Sequence, residues 1–314
     1  MKFIRSIAAF VIGALGFSLP QAHAASDYGK TRYPVVLVHG VAGAAQYVPG
    51  ADYFWKMPGD LRDNGATVYV ADLSAFNGVT NRGEALVTQI RTVLAATGAA
   101  KVNLIAHSQG GYDSRYAAAV IPQSIASVTT ISTPHRGTPL ADFLAATPSA
   151  LQDFIAGGAS LAGKLLALIS GDPKQQDPLA ALRLMTSPGS ADFNRQFPSA
   201  GLSETCTGDG ASVEVRNGNT QRLYSWAGSS SFTNILDVAD PLLVLGDGII
   251  RVQGGGSNDG AVPVCSARFG QFLGTYAWNH LDEQNQLFGL RGLFSADPVV
   301  NLRTHANRLK RAGL

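Results

Sequence analysis

A chain of 314 residues with 46% hydrophobic residues has enough apolar surface for one large α/β core, and no internal repeat or linker-like stretch divides it. Charged residues make up only 15%, against roughly 25% in an average globular protein, and the formal net charge is +2, a balance that argues against a nucleic-acid partner. In chain order, residues 1–24 read as a signal peptide: Lys2 and Arg5 precede an apolar run from Ile7 to Leu19, and Ala22-His23-Ala24 ends it. That run is shorter than the roughly 20 apolar residues that span a bilayer, so a mature chain beginning at Ala25 and exported is expected. Beyond it, strands are predicted at residues 35–38, 67–71, 102–106 and 128–131. Helices are predicted at 52–64 and 82–96, with Gly65 and Gly98 as their terminators. This alternation predicts a mostly parallel sheet with helices on both faces, joined by right-handed crossovers. Residues 140–170 are rich in Ala, Leu, Gly and Ser and poor in charge, with apolar side chains at loosely helical spacing. Residues 205–260 are turn-rich, with Gly246-Asp247-Gly248 and Gly254–Gly256 read as loops, and residues 222–226 read as a late strand. A basic amphipathic helix over 301–311 closes the chain.

The strongest chemical signal is His107-Ser108-Gln109-Gly110-Gly111, which follows a predicted strand and opens a helix. It nearly meets the Gly-x-Ser-x-Gly pattern, with Ala106 in place of the first glycine. A serine held on a sharp strand-to-helix turn needs small neighbours two residues before and two after, and alanine meets that need. A serine hydroxyl is a weak nucleophile and requires a base held by a carboxylate, in the chain order Ser, Asp or Glu, His for this architecture. That order removes His39 and His107, which precede the serine, while His23 lies in the signal peptide and His135 follows a strand too early. His305 lies among Arg303, Arg308 and Lys310 and reads as a solvated helix residue, which leaves His280 as the base. Asp259, in a glycine-rich loop ahead of His280, is the favoured orienting acid, with Asp247 and Asp240 as alternatives. Two backbone N–H groups must receive the oxyanion of the tetrahedral intermediate, and Val41 and Gln109 stand at the two expected places. Neither Gly-x-Gly-x-x-Gly nor a Gly-Lys-Ser/Thr ending is present, so a nucleotide site is rejected. The glycines around Asn258 do not repeat, which removes a calcium-binding nonapeptide array. Only two cysteines occur, Cys206 and Cys265. In an exported chain they are expected to pair, which stabilises by about 4 kcal/mol in the chain-entropy model.

With these residues assembled, the chain resembles the true lipases of the Pseudomonas and Burkholderia type, secreted bacterial triacylglycerol lipases that fold with the help of a dedicated foldase. Residues 34–43, 65–73, 102–112, 132–139, 258–265 and 279–290 carry the likeness most specifically. The resemblance implies an α/β-hydrolase fold with a helical lid near 140–170, the triad Ser108, Asp259 and His280, oxyanion donors Val41 and Gln109, and a disulfide between Cys206 and Cys265. It further implies one structural calcium ion held by the side chains of Asp240 and Asp282 and the carbonyls of Gln286 and Leu290, with Asp237 as the alternative to Asp240. Val41 stands where relatives commonly carry leucine; because the donor is a backbone group, the chemistry should be intact and only the acyl pocket altered. The implied substrate is a lipid ester at an oil–water interface, and the implied partner is the foldase chaperone. The rival enzyme is a short-chain carboxylesterase or another acyl hydrolase on the same scaffold. A catalytically silent lipid-binding protein would lack a triad member, and none is missing here.

Overall fold

Val35–Val38 (β1) is a run of four aliphatic residues buried on both faces, a pattern that suits a central strand covered by helices on either side. The computed structural model describes residues 26–48, 50–147 and 174–314. The strands that follow are β2 (Gln46–Val48), β3 (Ala51–Asp52), β4 (Val68–Val70), β5 (Val102–His107), β6 (Ile125–Ile131), β7 (Val213–Arg216), β8 (Asn219–Gly228) and β9 (Gln271–Tyr276). The described helices are α1 (Met57–Asp63), α2 (Val79–Thr97), α3 (Gly110–Val120), α4 (Pro139–Ala146), α5 (Pro178–Met185), α6 (Ser187–Gln196), α7 (Asp240–Val252), α8 (Val264–Ala267) and α9 (Pro298–Arg311). Strands run in the order β4-β1-β5-β6-β8, all parallel. The far edge of β8 is shared by antiparallel β7 along one stretch and parallel β9 along another.

The period of two along the strands divides the core into layers. Val36 and Val38 pack with Leu86, Ile90 and Val93 of α2 and Ala117 of α3. Val35 and Leu37 pack on the opposite face with Met57 and Leu61 of α1 and Leu302, Ala306 and Leu309 of α9. The chain leaves β1 for β4 on one side and returns to β5 on the other, so the crevice at the carboxyl ends of β1 and β5 is a topological switch point. Both Val41 and Ser108 lie just beyond those strand ends.

Several sequence expectations are corrected. The first helix begins at Met57, not at 52, because Asp52 pairs with Gln46 in a small hairpin and Pro58, which lacks an N–H, takes its place in the first helical turn. Gly246-Asp247-Gly248 is not a loop but the middle of α7. A Cβ on Gly246 would lie 2.0 Å from the Gly260 carbonyl, so glycine there allows the helix to press against the loop that carries Asp259. Strands β7 and β9 add edges that the apolar pattern did not announce. Of the expected lid, α4 is described, and residues 148–170 lie outside the described residues, as do residues 1–24. Among the described residues, no helix is long and apolar enough to cross a membrane.

His305 is buried, not solvated, and lies against the rings of Tyr224 and Trp226. Its Nδ1 accepts from Arg308 at 2.9 Å, which leaves Nε2–H to donate to Thr129 Oγ1 at 2.8 Å. Burial, then the Arg308 charge, lower its pKa to about 3. The folded ring therefore stays neutral while the unfolded chain protonates below about pH 6.5, so its contribution is complete above that pH and is lost as pH falls toward the folded value. The stability advantage of the parent over His305→Asn should shrink by about 1.4 kcal/mol between pH of about 8 and about 5.5. Urea melts of both proteins at the two pH values measure it, and a gap independent of pH would mean that the ring protonates as readily in the folded protein as in the unfolded chain.

Candidate active site

The turn from β5 to α3 places Ser108 at φ +53°, a left-handed conformation that costs about 1–2 kcal/mol for a residue with a Cβ. The surroundings hold it there: Ser108 N–H donates to the Ile131 carbonyl at 2.9 Å, and Thr133 Oγ1 donates to the Ser108 carbonyl at 2.7 Å. A Cβ on Gly110 would lie 2.5 Å from the Val38 carbonyl, which is why the position two after the serine must be glycine. At the position two before it, Ala106 is fully buried in the sheet.

On the other side of the crevice, the loop after α7 presents Asp259, which is fully buried. One carboxylate oxygen accepts from the N–H groups of Ala261 at 2.8 Å and Val262 at 2.7 Å, and the other meets His280 Nδ1 at 2.8 Å. Burial alone would raise this carboxyl. The His280 charge and hydrogen bond, with the two N–H donors, outweigh it and hold the group below the usual carboxylate range. His280 N–H also donates to the Asp259 carbonyl at 2.9 Å, so the two loops share a backbone bond. His280 Nε2 lies 3.0 Å from Ser108 Oγ. With Nδ1–H directed at a carboxylate, Nε2 is the lone-pair nitrogen and can accept the serine proton. The alternative acids do not reach the imidazole: Asp247 is held by Arg251 and Asn258, and Asp240 by Thr233, Asn234 and Asn279.

Gln109 is the N-cap of α3, so its N–H lies at the positive end of that helix, while Val41 stands in the turn after β1. Among the described residues neither N–H has an acceptor. Cys206 and Cys265 form a disulfide, which ties the 205–209 loop to α8, a few residues past Asp259.

Asp240 and Asp282 are both fully buried, and Asp237 nearly so. Asp282 Oδ1 and Asp237 Oδ2 have no hydrogen-bond partner, and burial pushes the Asp282 carboxyl up to about 7. Among the described residues the Gln286 and Leu290 carbonyls accept no hydrogen bond. Among the described residues, the cluster of three whose ligand atoms all lie within 4.8 Å of one another is His107, His280 and Glu283. A cation there would have to displace existing bonds, since His280 is engaged by Ser108 and Asp259 and His107 by Tyr53 and Glu283.

Sequence reasoning missed the groups behind the site. His39 accepts from Leu73 N–H, His107 accepts from Tyr53 Oη at 2.7 Å and donates to Glu283, and His135 stacks on Phe269. All three imidazoles are held neutral, chiefly by burial. Glu283 also accepts from Ser132 Oγ and Gly228 N–H. Its only trace in the sequence is the acidic run after His280, which carries no hint of the partners.

The family model described as alpha/beta hydrolase fold matches residues 33–284. A triacylglycerol lipase of Burkholderia plantarii is 46% identical over 337 residues, covering 96% of this chain and 93% of its own length. Another, of Pseudarthrobacter phenanthrenivorans, is 47% identical over 322 residues, covering 92% of this chain and 100% of its own. Among solved structures, EstA from Clostridium botulinum superimposes with a TM-score of 0.60 at 16% identity, covering 92% of this chain and 89% of that one, a likeness of fold alone. Fold and site together define a serine hydrolase of the α/β-hydrolase class that acts on carboxylic esters. Within that class, the chain belongs to the family of bacterial triacylglycerol lipases of the Pseudomonas and Burkholderia type.

Proposed function

We propose that this protein hydrolyses long-chain triacylglycerols through an acyl-enzyme, with Ser108 as nucleophile, His280 as base and then acid, and Asp259 as the orienting carboxylate. The observation that carries this reading is the single imidazole bridging Ser108 Oγ at 3.0 Å and Asp259 Oδ2 at 2.8 Å. Ser108 Oγ attacks the ester carbonyl as His280 Nε2 takes its proton; the carbonyl oxygen becomes an oxyanion received by the N–H groups of Val41 and Gln109. His280 returns the proton to the departing alcohol. Water, deprotonated by the same nitrogen, then attacks the acyl-serine and releases the fatty acid, restoring Ser108.

The orphaned oxygens of the buried Asp282 and Asp237, together with the unengaged carbonyls of Gln286 and Leu290, suit a hard dication with oxygen ligands, and we assign a structural calcium ion to Asp240, Asp282 and those two carbonyls, with Asp237 as the alternative to Asp240. When bound, the ion supplies charge neutralisation for the carboxylates and a tie for the loop that carries His280. The lid reading for 140–170 is supported by α4, whose Leu140 and Leu144 pack on Ile250 of α7, and by the exposed Val244 and Leu245 on that helix. Export after cleavage near Ala25, and folding assisted by a foldase, complete the reading; the kinship with the lipases of Burkholderia plantarii and Pseudomonas fragi supports it.

Titration of fatty acid released from a long-chain triacylglycerol emulsion by the folded mature chain, with calcium present, tests the substrate class. Release at rates matching or exceeding those on soluble short-chain esters is expected. Turnover confined to short soluble esters would leave the scaffold and its chemistry standing and make the protein a carboxylesterase.

A further inference from the structure

Arg82, in the first turn of α2, is fully buried. Its guanidinium donates in three directions: Nε to Asp113 Oδ2 at 2.8 Å, Nη2 to the His39 carbonyl at 2.7 Å, and Nη1 to the Ser74 carbonyl. The three acceptors belong to separate pieces of the site. Asp113 lies in the first turn of α3, one turn after Gln109. His39 is two residues before Val41. Ser74 precedes Ala75, whose carbonyl accepts the N–H of Ala42 at 2.9 Å. One rigid cation thus ties the loop carrying one proposed oxyanion donor to the helix carrying the other, at a place closed to solvent.

A planar fork with fixed N–H directions can hold three such acceptors in one geometry, and an ammonium on a flexible stem cannot. Burying an ion pair is a poor way to gain stability, since desolvation offsets most of the attraction. Its three acceptors are instead the groups whose relative position decides whether two N–H vectors converge on one oxygen. We propose that Arg82, anchored by Asp113, is a positioning residue that sets the spacing between the Val41 and Gln109 donors, and so acts on the transition state and not on substrate binding. The inference rests on the assignment of Ser108, Val41 and Gln109 given above.

The test uses Arg82→Lys and Asp113→Asn in the full mature protein with calcium present. A p-nitrophenyl alkylphosphonate phosphonylates the nucleophilic serine once and releases one nitrophenolate, so its end point counts folded sites and its rate reports oxyanion stabilisation at phosphorus. Expressed per titrated site, kcat on a monomeric ester and the phosphonylation rate should both fall by about 10²-fold, the penalty for misplacing a reacting group by about an ångström, while KM stays within about twofold. Per-site kcat and phosphonylation rate within about threefold of the parent, with or without a lower Tm or fewer titratable sites, would make the pair purely structural and overturn the proposal. A rise in KM at unchanged kcat would overturn it as well. Failure of the underlying assignment looks different: a parent that the phosphonate does not label, or a Ser108→Ala protein that still turns over, whatever Arg82 does.

Discussion

Ser108→Ala is expected to lower kcat on any ester by about 10⁶-fold without unfolding the protein, because the triad members act as a unit and removing the nucleophile costs nearly as much as removing all of them. What remains should be rate enhancement of about 10³-fold over water from the two N–H donors and substrate binding alone. The stability side of the same substitution follows from the backbone. Ser108 holds φ +53° whether or not it carries a hydroxyl, so alanine keeps the strain, loses the hydrogen bond to His280 and leaves an imidazole nitrogen partly exposed to water. The Tm of Ser108→Ala should therefore stay within about 3 °C of the parent. Glycine at 108 is different, because it adopts that φ without a Cβ penalty, and Ser108→Gly should be more stable than Ser108→Ala by about 1 kcal/mol, offset in part by greater freedom of the unfolded chain. Calorimetry of the two variants beside initial rates separates the effects: equal loss of activity with unequal Tm is the expected pair. Residual turnover above about 10⁻³ of the parent would place the nucleophile elsewhere.

The proposed nucleophile is legible in the sequence because the constraint that singles it out is local. A serine on a strained turn forces a small residue two places on, and the Val38 carbonyl that would meet a larger one belongs to the neighbouring strand of an equally legible sheet. His280 follows by elimination along the chain and Asp259 from its loop, and the structure brings His280 within hydrogen-bond reach of both Asp259 and Ser108. What stayed hidden was made by contacts across long sequence separations. Tyr53 meets His107, His107 meets Glu283, and Arg82 meets Asp113 and His39, and none of these pairs leaves a spacing or a period behind. The glycines of α7 suggest a loop for a different reason: Gly246 marks close approach to Gly260, and a glycine that serves packing looks in a sequence like a glycine that serves a turn. The burial of His305 is encoded in helical periodicity, since Leu302, His305, Ala306 and Leu309 fall on one buried face of α9, and the arginines around it occupy the other positions. Edge strand β9 is partly exposed throughout and interrupted by Gly274, which removes the alternation by which strands announce themselves.

Removing calcium is expected to lower the Tm by about 10 °C and to reduce activity with it, both restored by calcium. A ligand held at about 10³ times its Kd stabilises by about 4 kcal/mol, and a chain of this size shifts by roughly 2–4 °C per kcal/mol. The coupling to activity comes from the loop itself. Asp282 lies two residues past His280, its Oδ2 accepts the Asn279 N–H at 3.2 Å, and Asn279 Oδ1 in turn accepts the N–H groups of Leu281 and Asp282 at 2.8 Å. Two ends of a short turn are thereby referred to one carboxylate, and whatever orders that carboxylate orders the imidazole between them. Without a cation, Asp282 keeps an orphaned oxygen among Asp237 and Asp240, and burial holds its carboxyl up to about 7. Asp282→Asn removes this burden at nearly constant shape, so the variant should be at least as stable as the metal-free parent, yet gain nothing from added calcium. Thermal melts of parent and variant, each with chelator and with excess calcium, give four numbers of which only the calcium-loaded parent should stand apart. A parent indifferent to chelation would remove the ion from this protein, and a variant that still responds fully would move the ligation from Asp282 to Asp237 and Asp240.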